Sequence, residues 1–243
     1  MTTMNKFHRA IRSTLAVAAL AALVTTGLAP SAAAAASAAA TDSSGAGVVQ
    51  MGRMVAGEFV AMTEEEIRLA TATLPTPPSA KESVTPQLID WDQWYGCFSL
   101  NHSDDVFAEY NHYWDGVGHD VRLKCGEGSP DNPDSGWGYK HIRAKHEGQW
   151  QVQLNAARQA GWGSEAQGVE SWDDLMAAAA GEAITWPEYK GGNSISQTSC
   201  GVTEVFFWNT QTGQTVYSFR ARAGWSNTND RLLTAFPQSA ISC

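Results

Sequence analysis

The chain has 243 residues, 43 % of them hydrophobic, and a formal charge of −9 at pH 7. Phosphate attraction supplies most nonspecific affinity for nucleic acid, so bulk charge excludes a general nucleic-acid-coating protein.

Residues 1–14 carry Lys6, Arg9 and Arg12 and no acid, residues 15–29 are apolar, and A-x-A sites lie between Ala32 and Ala40. A charged start, an apolar core and a small-residue cleavage site make a secretory signal peptide, and that core is short for a membrane span. Residues 1–40 are therefore expected to be cleaved, leaving a secreted, extracellular protein with no membrane attachment. The loss of three positive charges takes the formal charge from −9 to −12. Residues 41–136 hold 16 acids against 5 bases, whereas residues 137–243 hold 9 against 8.

Residues 41–57 are rich in Ala, Ser, Thr and Gly without a period and read as a flexible leader. Thr63 and Glu66 form a capping box that predicts a short helix over 63–73. Four prolines within residues 74–86 predict an extended linker, so that 41–86 could serve as a propeptide. All ten tryptophans follow residue 90. Short strands are expected at 97–100, 106–114 and 120–125, and residues 126–138 have loop composition throughout. Residues 140–160 predict a helix with Ile142, Trp150, Leu154 and Ala157 as its apolar stripe. Ser171 and Asp174 cap a second helix running to about Ala180. The period then changes to two: residues 202–208 and 215–222 flank a turn ending in Gly213, and residues 231–236 make a last strand stopped by Pro237. The fold class expected is α+β, helices followed by an antiparallel sheet, with a small disulfide-braced β-rich segment ahead of them. One unit, residues 87–243, divides into an aromatic part (87–136) and an α+β part (137–243).

Cys97, Cys125, Cys200 and Cys243 are an even set without C-x-x-C spacing, which favours two disulfides over zinc. The pairing Cys97–Cys125 and Cys200–Cys243 is favoured because each pair lies within one predicted β region.

The segment most suggestive of chemistry is residues 138–146, where His141 and His146 alternate with Lys140, Arg143 and Lys145. Imidazole titrates near neutrality, and a histidine pair among cations suits acid–base work on an anion such as a phosphodiester. A five-residue step places the two about 140° apart around a helix, so they are not expected to share a face, and this is not the zinc motif H-E-x-x-H. Lys145 lies one turn after His141. In residues 215–222 alternation puts Arg220 and Arg222 on one strand face, where guanidinium suits phosphate. Thr234 is expected to share a side with Leu232 and Phe236. A helix-capping histidine and solvated arginines are the ordinary alternatives.

The order GYKHIRAKH…W, paired strands and a terminal RLLTAFP resembles the barnase–EndoU–colicin–RelE-like superfamily, above all its phage and polymorphic-toxin members, over roughly residues 136–238. The resemblance implies a hydrolase of the ribonuclease type, cleaving RNA without metal or other cofactor through a 2′,3′-cyclic phosphate. It carries the helix histidines onto His141 and His146, the phosphate clamp onto Arg222 or Arg220, and the motif hydroxyl onto Thr234. Lys145, Arg220 and Arg143 would hold RNA, and a toxin would imply an immunity protein. A monomer is expected. The strong acidity and the aromatic segment depart from the family pattern. The rival is a non-catalytic secreted binding protein for a protein or cell-wall glycan, using the aromatic acidic half, where Trp91, Trp94, Tyr95 and Trp114 could stack on sugar rings or bases or simply form core. A third reading would gather His102, Asp104, Asp105, His112, Asp115, His119 and Asp120 around a divalent cation.

Overall fold

The computed structural model describes residues 48–71, 88–112 and 118–243; the signal-peptide and proline-linker expectations fall outside these residues. Residues 49–61 are not a flexible leader. β1 (Val49–Val55) and β2 (Glu58–Ala61) form an antiparallel hairpin, and Val49, Met51 and Met62 are core residues. Gln167, distant in sequence, holds them. Its Oε1 accepts from the Met51 N–H at 2.7 Å, and its Nε2 donates to the Met51 and Met62 carbonyls at 3.2 and 2.9 Å. Composition does not register such a partner, so the folded unit begins well before residue 87. α1 (Glu64–Thr71) opens on the capping box expected: the Glu66 N–H donates to Thr63 Oγ1 at 3.1 Å, and the Thr63 N–H to Glu66 Oε2 at 2.7 Å.

The strand expected at 97–100 is instead the end of α2 (Trp91–Phe98). Asp90 and Gln93 form a capping box, and that local signal overrides the strand preference of an aromatic run. The strands expected at 106–114 and 120–125 are β3 (Val106–His112) and β4 (His119–Lys124), which pair antiparallel. Residues 126–138 are not all loop, since β5 (Glu127–Ser129) and β6 (Asn132–Trp137) make a short hairpin. α3 (Gly138–Gln159) follows directly, and its stripe Ile142, Trp150, Leu154 and Ala157 is buried. Trp137, its N-cap, supplies no side-chain bond; the Lys140 N–H is met by the Cys125 carbonyl at 2.9 Å. A 3₁₀ turn (Ser164–Gln167) leads to α4 (Trp172–Thr185), which starts at the Ser171–Asp174 box and passes through Gly181 without stopping.

β7 (Tyr189–Asn193) is a strand the glycines concealed. β8 (Thr198–Asn209) and β9 (Gln214–Ser226) form the long hairpin, and β10 (Leu232–Gln238) runs through Pro237. Proline is tolerated there because β10 is an edge strand. The main sheet has six antiparallel strands in the order β10-β9-β8-β1-β2, with β7 also pairing β8. The fold class is α+β. Phe207, Phe219, Ala221, Ala223 and Trp225 line the core face of the sheet. α4 is buried on nearly every side, which its alanine run permits; Gly201 gives it room, since a Cβ there would run into the Ala183 carbonyl. α3 flanks the β10 edge, where the Trp150 Nε1–H donates to the outward Ala235 carbonyl at 3.1 Å.

Both disulfides have the favoured pairing, Cys97–Cys125 and Cys200–Cys243, with Cα separations of 5.5 and 6.2 Å. Such bonds form and persist in oxidising compartments. No helix among the described residues is long and apolar enough to cross a membrane.

Candidate active site

His141 and His146 meet despite their angular offset. Their ring centroids are 5.8 Å apart with planes at 79°. A helical side chain leans back over the preceding turn, so the His146 ring reaches toward the first turn, where His141 sits. Each Nδ1 is pinned by a group that can only accept. His141 Nδ1–H donates to the Ser135 carbonyl at 3.2 Å, and His146 Nδ1–H donates to Gln149 Oε1 at 2.9 Å. That fixes the tautomer of the neutral rings and leaves both Nε2 atoms for other work. Among the described residues neither Nε2 has a hydrogen-bond partner, and neither is a sealed atom. The side chains are otherwise enclosed, with residue exposures of 7 % and 6 %.

β10 supplies the floor. Phe236 stacks on His146 at 4.7 Å and 17°, and the Arg222 Cζ lies 5.3 Å from the centroid of the same ring. Register sets Arg222 next to Phe236: Phe236 pairs with Arg222 and Thr234 with Gly224, on the face opposite Ala235. Leu232 does not share that face as expected. A bulge between Leu232 and Thr234 turns it to the core, opposite Trp225. Arg222 makes no ion pair or hydrogen bond among the described residues, and its Nε and the Thr234 Oγ1 are both sealed without partners. Orphaned buried donors of this kind cost roughly 1–3 kcal/mol each.

The remaining expected residues separate. Lys145 is at the rim, 2.7 Å from Asp134, and this contact first, with the two histidines adding to it, holds the Asp134 carboxyl below its usual range. Arg220 shares the face of Arg222 but is occupied: it pairs with Glu204 at 2.8 Å and donates to the Ser239 carbonyl at 3.2 Å. Arg143 is not brought to the histidines. Two residues on from His141, it projects from another flank of α3, pairing with Glu147 at 3.4 Å. Burial pushes the His146 imidazole down to about 4, with His141 and Lys145 adding to the effect against the Gln149 bond. It is therefore neutral at physiological pH. Among the described residues no group of three or more His, Cys, Asp or Glu could hold a metal ion; His102 meets only Asp105 at 3.5 Å, and His112 stacks on His119.

Sequence reasoning missed Phe236, Gln149 and Ser135. Gln149 had a signal, lying three residues after His146 on a helix. Ser135 acts through its carbonyl, which leaves none. No protein-family model, curated protein or solved structure matches the chain.

Proposed function

We propose that the protein is a secreted, metal-independent endoribonuclease, with the character of an antibacterial toxin. The observation that carries this reading is the histidine pair, each ring pinned at Nδ1 with its Nε2 unengaged, and His146 stacked on a Phe236 ring that Arg222, which has no ion pair among the described residues, also reaches. Neutral His146 is the base. Its Nε2 takes the proton of a ribose 2′-OH, and that oxygen forms a bond to the adjacent phosphorus. The P–O5′ bond breaks as the second imidazole, His141, acts as general acid through Nε2 toward the departing oxygen, leaving a 2′,3′-cyclic phosphate and a 5′-hydroxyl. Arg222 and Lys145 stabilise the charge that builds on the phosphoryl oxygens; the Thr234 hydroxyl is sealed from the site and takes no part in it. A phosphodiester beside His146 adds negative charge and raises the proton affinity of the ring, which brings a base that is weak in the free protein closer to its task. The signal-peptide pattern and the two disulfides support export.

The test is incubation of the purified protein with RNA, with and without chelator. Cleavage in both, abolished in His141→Ala and in His146→Ala, is expected. Intact RNA contradicts the activity, and cleavage surviving both substitutions contradicts the site. The non-catalytic binding reading keeps one specific support, the exposed rings of Trp91 and Tyr95.

A further inference from the structure

A column of aromatic rings stands against the flank of α3 that carries Lys140 and Arg143. Trp91 and Trp94, on one face of α2, stack at 5.3 Å with planes 13° apart, and Trp94 meets Phe98 at 5.5 Å. The Lys140 Nζ and Arg143 Cζ lie 5.6 and 4.9 Å from the centroid of Phe98. Trp91 is 71 % exposed. The helix cannot turn this face inward. Its other side is committed to the core through Gly96 and Cys97, Cys97 is bonded to Cys125, and the Asp90–Gln93 box fixes its start. A rigid element that keeps its largest apolar side chain in water marks an interaction surface. Beside it, a groove of about 620 Å³ runs between Phe98, Pro130, Lys140, Arg143 and Glu147.

We infer that this flank binds single-stranded nucleic acid, bases continuing the stack at Trp91 and phosphates lying in the groove on Lys140 and Arg143. The identification of that polymer as RNA rests on the ribonuclease reading. The ring arrangement discriminates between ligands. Rings stacked on one another leave a free face at the end of the column, which a flat base extends; a sugar chain calls for rings laid side by side. Every base has such a face, so the contact is tolerant of sequence. The cations supply the complementary charge, and Glu147, which holds Arg143 at 3.4 Å, is a competitor that a phosphate must displace.

The probe is a short labelled oligothymidylate, which lacks the 2′-OH and cannot be cut by transesterification, titrated onto the full protein by fluorescence anisotropy. Trp91→Ala is expected to weaken binding roughly 5-fold or more, the effect of losing one stacked base. Replacing Lys140 and Arg143 with Ala flattens the dependence of log affinity on log salt by about 1.4, at about 0.7 per phosphate contact. Glu147→Gln tightens binding. Unchanged affinity in Trp91→Ala, or displacement of the oligonucleotide by a neutral oligosaccharide, overturns the inference. Binding as expected without RNA cleavage sinks the ribonuclease reading and keeps this surface. Cleavage of RNA with equal oligonucleotide affinity in wild type and Trp91→Ala does the reverse.

Discussion

On one flank of α3, His141, Lys145 and His146 lie toward β6 and β10; on another, Lys140, Arg143 and Glu147 lie toward α2. Both flanks combine basic side chains with aromatic rings, yet they are built differently. The imidazoles are enclosed, with each Nδ1 bonded to protein, whereas Lys140 and Arg143 stand over a ring at the wall of an open groove. Enclosure lowers the proton affinity of His146 and fixes its tautomer, as proton transfer requires; openness suits contacts that form and break along a polymer. A smaller version of the contrast lies within β9. Arg220 is neutralised by Glu204, while Arg222, two residues on, has no ion pair among the described residues.

Four experiments would break or sharpen this contrast. The largest effect is expected at the enclosed flank: His146→Ala should lower kcat on a dinucleotide by roughly 10²–10⁴-fold, while Trp91→Ala, in the ring column toward the other flank of α3, leaves it unchanged. Equal losses in both would erase the distinction. Trp150→Ala removes a fully buried indole that ties α3 to the Ala235 carbonyl. Urea unfolding should record a loss of about 3–5 kcal/mol, and near-wild-type stability would mean that α3 is held to the β10 edge by something else.

Arg222→Ala should cost on the order of 10²-fold in kcat, in the range seen for a donor to developing charge. Arg220→Ala, which loses a half-exposed ion pair, should cost up to about 1 kcal/mol of stability and little activity. The reverse ranking would reassign the phosphate clamp. The smallest effect is in pH. The folded His146 binds its proton only near pH 4, the unfolded one near 6.5, so the unfolded chain carries more protons between these values. His146 therefore disfavours the fold increasingly as pH falls from 6.5 to 4. The Tm of wild type relative to His146→Gln should drop across that window and stay level above it; a constant difference would place His146 in water.

Much of the C-terminal half was legible because its signals are local. The stripe Ile142-Trp150-Leu154-Ala157 keeps helical period, the Ser171–Asp174 box marks a helix start, and alternation through residues 215–222 gave the face of Arg220 and Arg222. Residues 49–61 were misread because their strands depend on β8 and on Gln167, which no local pattern announces. Residues 97–100 were misread because an aromatic run favours strand, although Asp90 and Gln93 stood at the head of a helix. At the site, residue types were visible but spatial relations were not. Helical angle separates His141 from His146, and it takes side-chain lean to join them; a bulge at Leu232–Thr234 decides which residues of β10 accompany Phe236.

The most direct measurement compares two RNAs of one sequence, one unmodified and one 2′-O-methylated throughout, incubated with wild-type protein and analysed by mass spectrometry. Attack by a 2′-oxygen deprotonated at His146 predicts fragments ending in 2′,3′-cyclic phosphate from the unmodified strand and none from the methylated one. Equal cutting of both strands, or fragments bearing 5′-phosphates, would contradict the role given to the imidazole pair.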